Sequence, residues 1–394
     1  MKKLSLSILF LLCLVQLKAQ NLQGKVVDEA TGVGIPFVSV GIVGTNNATV
    51  SNENGDFILR STSFPLKLRA SHISYLVAEV NLTQQTEKLV LQLKPATLTL
   101  NVVTIDPYQG QRIIKSALEL ASANVSNYFY TNAFYRQLTT VNNRPTQIYE
   151  MFYNLKWNTK RIQGWSAVQS RFAELNEGLV FSLNNQSYLT FSYSGYLMPE
   201  KGGKFVSLKS LTDYNITIER YIDQASQKIA VVSCKYKKAR KNQYYVNSTY
   251  YIGVNDSKIY RLENNVYNLP MSLSDAAAKF PPAVTTIATF NGEGHPIPIL
   301  ESVATKFFVN VSARGQELNA GISSLLTVYK VDDNLSSQNF EELNRKTKDK
   351  NVIESIAYNP AFWRNNPIVK QTTLEDSFIK MMESKQAFGT MINP

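Results

Sequence analysis

The stretch VSNENGDFIL, residues 50–59, decides how the chain begins. It reads as a strand, a turn and another strand, and its middle carries Asn54-Gly55, a pair that reaches the left-handed backbone conformations of a tight hairpin turn. A calcium loop is the competing reading. In that register the first position falls on Val50 and the twelfth on Ser61, so the carboxylates that would hold the ion are missing. The segment is therefore expected to hold a shape. Around it, LQGKVVD, FVSVGIVG, NATVSN, LKLRASHI, YLVAEVNL and KLVLQLK recur about every ten residues between Gly, Asn and Pro, which is the pattern of a β-sandwich over residues 21–105.

At Gly24, Asp28, Gly32, Pro36, Val38, Val40, Gly44, Thr45, Thr49, Asn52, Gly55 and Phe57 this segment resembles the carboxypeptidase-regulatory-like domain, a small transthyretin-like sandwich. SHISY resembles that family's Ser-x-x-Gly-Tyr strand with Ser74 in place of Gly, and LTLNVVTI resembles its closing strand. The resemblance implies a fold and no peptidase activity. A zinc peptidase needs His and Glu ligands, whereas the two histidines, His72 and His295, are followed by ISY and PIP. His72 is expected to be a partly buried structural imidazole.

Residues 1–20 read as a signal peptide: Met1-Lys2-Lys3, an apolar run from Leu4 to Val15, and a small-residue end near Ala19. Leu12 before Cys13 is too large for a lipid-attachment signal. The expected location is exported, periplasmic or associated with the outer membrane. Without Lys2, Lys3 and Lys18 the 41 basic residues become 38 against 30 acidic ones, a net charge of about +8. This suits anionic envelope surfaces, and export argues against nucleic acid. Cys234 then stands alone in the apolar run IAVVSCKY, so no internal disulfide forms and a buried strand residue is expected.

Residues 106–330 open on Asp106-Pro107, a helix start, and QRIIKSALELASAN places Ile113, Ile114, Ala117, Leu118 and Ala121 on one face. Tyr-rich strands follow, with turns expected at Asn142–Pro145, Asp223-Gln224 and Asn255-Asp256. The fold class is mainly β: the sandwich, then a large curved antiparallel sheet, open or half-barrel, with a few packed helices. A second resemblance, at Asn127, Tyr128, Phe134, Tyr135, Arg136, Glu150 and Arg171, is to uncharacterised Gram-negative envelope proteins, and it implies fold without activity. In residues 331–394, Asn339 with Glu342 suggests one helix start and Thr373 with Asp376 another. The second helix carries Leu374, Phe378, Ile379 and Met382 as a stripe docked on the sheet and stops at Gly389.

No metal cluster, nucleophile elbow or Cys-His pairing emerges, so the chain is expected to be no enzyme and to need no cofactor. Arg136 and Glu150 flank the hairpin turn and pair across strands, or with Arg171 they bind a ligand. The basic run KYKKARK adds Lys237, Lys238 and Arg240 as candidate ligand or partner contacts, set against a solvated hairpin tip. The expected role is an interaction or scaffold module with an envelope protein partner, such as a TonB-dependent transporter. The alternative is a carrier holding a lipid in the curved sheet, with a hydrolase of unknown type as a minor alternative. A carrier would leave its sheet face open, and a scaffold would fill it.

Overall fold

The computed structural model describes residues 21–388 apart from 46, 61–62, 87–88, 101–105, 176–184, 199–203, 225–226, 241–242, 270–276, 279–282, 293–294, 314–315 and 367. The signal peptide and Gly389 lie outside the described residues.

The first seven strands make two small sheets: β1 (Asn21–Asp28), β2 (Ser39–Ile42), β3 (Ala48–Val50), β4 (Asp56–Arg60), β5 (Leu66–Ser71), β6 (Ala78–Leu82) and β7 (Leu89–Leu93). Their orders are β4-β1-β7 and β3-β2-β5-β6. Period-two alternation turns Leu66, Leu68 and Ala70 of β5 and Leu89, Leu91 and Leu93 of β7 inward onto Val26, Val40, Phe57 and Leu59. Two glycines of the opening motif are sterically required. A Cβ on Gly24 would lie 2.6 Å from the Phe57 ring directly across the β1–β4 pair, and Gly55 has φ +82° with the Val26 carbonyl 2.4 Å from where its Cβ would be.

The next strand, β8 (Thr97–Leu100), leaves the sandwich. Ala96 is buried among Ile222, Ile229, Val231 and Tyr251, and from there the chain pairs antiparallel with Arg220–Asp223. The strand read in the sequence as closing the sandwich thus forms one edge of the large sheet. After helix α1 (Gln109–Ala123) come β9 (Phe129–Val141), β10 (Arg144–Asn158), β11 (Arg161–Glu174) and helix α2 (Gln186–Ser192). Next are β12 (Tyr214–Gln224), β13 (Gln227–Tyr236), β14 (Tyr245–Gly253), β15 (Ile259–Tyr267), β16 (Ala277–Ala278), β17 (Ala283–Asn291), β18 (Ile299–Ala313) and β19 (Gln316–Val331). With β20 (Glu341–Glu342) the sheet has 13 strands, ordered β20-β11-β10-β9-β19-β18-β17-β15-β14-β13-β12-β8, with β16 beside β18. The two ends of this order do not pair, so the curved sheet is open and no barrel closes. Asn142 and Asn143, at φ 51° and 65°, make the two-residue turn between β9 and β10. Asp223 and Gln224, expected as a turn, are still paired in β12.

One face of the sheet is filled. Ile114, Ala117, Leu118 and Ala121 of α1 and Phe191 of α2 pack onto Tyr135, Tyr153, Val232 and Tyr250. The buried Cys234 belongs to this core, and desolvation raises its thiol pKa. Asp106 precedes α1 and accepts the Tyr108 N–H, while Tyr108 itself occupies the cap position.

The C-terminal segment carries helices α3 (Asp349–Glu354), α4 (Pro360–Asn365) and α5 (Thr373–Ser384); α3 joins the filled face through Ile353, while α4 and α5 cover the opposite face of β9–β11. Two sequence expectations change here. Asn339 and Glu342 start no helix: Glu341–Glu342 pair with Gly164 and Trp165 as β20, because Phe340 packs against the bare Cα of Gly164. The capping box of α5 is Thr372 with Glu375, one residue earlier than expected, and Leu374 is exposed while Phe378, Ile379 and Met382 are buried. Among the described residues no helix is long and apolar enough to cross a membrane.

Candidate functional site

Arg136, Glu150 and Arg171 stand side by side on three adjacent strands. Glu150 of β10 lies directly opposite Arg136 of β9 and directly opposite Arg171 of β11. Strand alternation turns all three toward the C-terminal segment, away from the neighbours Tyr135, Tyr149, Met151 and Phe172, which face the main core. Arg136 Nε donates to Glu150 Oε1 at 2.6 Å, and Arg171 Nε donates to Glu150 Oε2. Glu150 is 1% exposed, Arg136 5% and Arg171 7%.

The segment closing this triad supplies the remaining partners. Arg136 donates to the Val369 carbonyl at 3.1 Å and pairs with Glu375 at 3.4 Å. Arg171 pairs with Glu383 at 3.4 Å, and its guanidinium lies 4.6 Å from the Trp363 ring centre and 4.8 Å from that of Phe388. Burial pushes the Glu150 carboxyl up, but Arg171 and Arg136 outweigh it and hold the pKa below the usual carboxylate range. Burial likewise works against the charge on Arg136, and Glu150 and Glu375 leave it raised. Apolar contacts seal the rim: Phe134 and Phe152 meet Ile368 and Val369, while Leu138, Ile148 and Ala173 meet Phe378, Ile379 and Met382. Chemically this is a clamp. Each arginine spends its directed N–H groups on the sheet acid and the tail, so the arrangement fixes the C-terminal segment to the sheet.

The sandwich holds the same segment from its other side. Asn52 Nδ2 donates to the Lys370 and Gln371 carbonyls, both at 3.2 Å, and Thr49 Oγ1 donates to the Ile368 carbonyl at 2.7 Å. Asn52 Oδ1 accepts the Asn54 and Asp56 N–H groups, so this side chain shapes the opening turn and docks the tail together. The sequence marked Asn52 only as a position of the family resemblance, and its docking role was illegible because the tail lies more than 300 residues away.

Lys237, Lys238 and Arg240 are not brought to the triad. They are exposed where β13 turns into β14, and β19, β18, β17 and β15 separate that pair from β9. Lys237 Nζ donates to the Thr212 carbonyl at 2.8 Å. Tyr236, Tyr245 and Tyr267 stack beside this run, with ring centres 5.9 and 4.7 Å apart.

Two further groups carry perturbed titration. Asp349, 2% exposed, accepts the Ser187 backbone N–H at 3.1 Å and the Ser187 hydroxyl, and burial pushes its pKa up to about 6. It holds the first turn of α2. His72 sits where the sandwich meets the sheet, 3.3 Å from Arg261, and desolvation followed by that arginine lowers its pKa to about 3. Asp349 had no sequence signal beyond residue type, whereas His72 was expected as a partly buried imidazole on a strand. Among the described residues no three His, Cys, Asp or Glu side chains gather as metal ligands.

Fold and site together define a mainly β chain: an N-terminal sandwich, a large open curved sheet, and a tail clamped between them. Residues 22–105 match the CarboxypepD_reg-like domain family. Among solved structures, a domain from Vibrio parahaemolyticus assigned to outer membrane lipoprotein sorting is 9% identical, covers 63% of this chain and 98% of its own, and has a TM-score of 0.27. A membrane-associated protein of unknown function from Bacteroides fragilis NCTC 9343 is 8% identical, covers 79% and 97%, and has a TM-score of 0.16. MucB in complex with MucA(peri) is 8% identical, covers 58% and 97%, and has a TM-score of 0.17. No curated protein matches the chain.

Proposed function

We propose that the chain is an exported, non-catalytic envelope protein acting as an interaction scaffold, whose sandwich engages a protein partner such as an outer-membrane TonB-dependent transporter. One observation carries this reading over a carrier: the sheet face that a carried lipid would occupy is filled by its own side chains. Trp157, Tyr135, Tyr149, Tyr153 and Tyr250 of the sheet are fully buried in one core with α1 and Phe191 of α2. The signal-like leader supports export, and the family match supports a sandwich used as a module. The charge clamp ties the tail to sheet and sandwich, which suits a rigid platform.

The sandwich keeps apolar side chains outside, with Val33 and Val90 well exposed. A photo-crosslinking residue at position 33 or 90, in a Gram-negative host carrying the full chain, should yield one discrete adduct with an outer-membrane protein. The same residue at Lys350 or Glu354 on the tail should not. Native mass spectrometry of the purified chain should give a clean mass. A reproducible added mass that organic solvent removes, with no adduct from the sandwich positions, overturns the scaffold in favour of a carrier.

A further inference from the structure

The junction between sandwich and sheet contains a polar slot with two unlike ends. Its sandwich wall runs from Ser39 of β2 to Ser71, directly opposite on β5, and on to His72. Its sheet wall runs from Arg261 of β15 to Thr289, directly opposite on β17, and on to Glu301 beside Ser302, the residue opposite Thr289 on β18. Arg261 meets His72 at one end. Glu301 takes hydrogen bonds from Ser39 and Thr289 at the other. Two strand spacings, about 10 Å of backbone, separate the ends, and the Arg261 and Glu301 side chains close part of that distance. The cleft between the walls has a volume of about 320 Å³.

The cationic end is preset. Glu263 accepts from Arg261 Nε at 2.8 Å and Tyr251 lies under the guanidinium with its centre at 5.4 Å, which leaves Nη1 directed at His72. His72 Nδ1 accepts the Ser74 N–H at 3.2 Å, so the neutral ring carries its proton on Nε2. Two N–H donors, from Arg261 and His72, therefore converge, and this arrangement holds an oxygen acceptor in common. The acidic end is the complement. The partners acting on Glu301 are two neutral hydroxyls, those of Ser39 and Thr289, while Arg69, which lines the same cleft, pairs with Glu79. Desolvation pushes the Glu301 carboxyl above its usual range. A partly buried carboxylate without a countercharge is stabilised by an ammonium group brought into contact.

We propose that this slot binds a short zwitterionic ligand, a dipeptide, with its carboxylate between Arg261 and His72 and its ammonium on Glu301. An extended dipeptide spans about 7 Å, shorter than the two strand spacings of backbone between the ends. The site is independent of the partner surface on the sandwich exterior.

The test is isothermal titration of the full chain with the twenty amino acids and the Gly–X dipeptides, singly, each hit being repeated as its N-acetyl and its C-terminal amide form. At least one dipeptide should bind saturably and more tightly than any single amino acid, and blocking either end should weaken it tenfold or more. Glu301→Gln should remove the penalty for N-acetylation, and Arg261→Gln the penalty for amidation. The proposal is overturned if no probe binds at millimolar concentration, if blocked forms bind as well as free ones, or if both variants keep the discrimination of the unmodified protein. The blocked-probe comparison needs no variant, so it decides the matter even if a substitution unfolds the chain.

Discussion

Replacing Glu150 by Gln should be among the most damaging changes of a single atom available to this chain. The carboxylate is 1% exposed and accepts from both Arg136 and Arg171, which are themselves 5% and 7% exposed. In the variant two guanidinium groups remain buried with one neutral amide between them, and the amide NH2 faces one of them donor to donor. Removing one partner of a buried pair costs about 3–5 kcal/mol, because the surviving charge keeps its desolvation penalty. Glu375 and Glu383 compensate in part, but each contacts its arginine only at 3.4 Å, and Glu383 is 53% exposed. The lower part of that range, about 3 kcal/mol, is therefore expected. Urea denaturation of purified wild type and E150Q measures it, and limited proteolysis between α4 and α5 locates it. The tail should become cleavable before the sheet unfolds. A loss below about 1 kcal/mol with unchanged tail protection would refute the reasoning, since it would put the triad in the range of an exposed cross-strand pair.

Four further outcomes follow from the same geometry. Asp349→Asn should stabilise the chain at pH 8 and change little at pH 3. The folded pKa of about 6 lies above the ordinary 3.8, so Asp349 favours folding below pH 4 and that contribution is lost as pH rises through 6, roughly 2–3 kcal/mol, readable in denaturation midpoints against pH. His72 acts in the opposite direction: its lowered pKa favours folding above pH 6.5 and the contribution fades as pH falls towards 3, so His72→Gln should flatten the acid limb of the same curve. Phe378→Ala, which empties a buried position between Leu138, Ile148 and the tail, should cost about 3–5 kcal/mol by urea denaturation. Asn52→Ala removes two hydrogen bonds within the opening turn and two to the tail, and should cost about 2 kcal/mol while exposing residues 368–371 to hydrogen exchange.

What could be read from the sequence was whatever is encoded within some thirty residues. The sandwich strands, the β9–β10 hairpin at Asn142-Asn143 and the buried face of α1 all rest on local period and turn chemistry, and the structure has them in place. The Arg136–Glu150 pairing was also legible, because both residues count outward from one turn. Its burial was not. Nothing near positions 136 or 150 says that residues 359–388 return to cover them, and that cover sets the energy of the pair. Thr97–Leu100 lies inside the matched span 22–105 yet pairs with the second sheet, and this was illegible for a similar reason: an apolar strand does not state which of two sheets has an open edge, and the burial of Ala96 on the second sheet decides it. Near Asn339 a local cap pattern lost to a tertiary contact, since Phe340 finds Gly164 and holds the next two residues in β20.

The tail also bears on how the whole molecule unfolds. Its hydrogen bonds to Asn52 and Thr49 join residues separated by 318 and 319 positions, and its contacts with Arg136 and Arg171 join residues 239 and 212 positions apart. A sandwich and a sheet joined only by a linker would melt separately. Here one short segment is held by the sandwich and by the sheet alike, and Lys306–Glu53 bridges the same junction. Loosening the tail removes stabilisation from both at once, so the two parts should lose structure in a single transition, and two resolved transitions in calorimetry would contradict that coupling. The same coupling makes the junction slot responsive. A ligand that binds only when both walls are in place stabilises the whole chain by mass action, so its occupancy should raise the melting temperature of the sheet as well as that of the sandwich.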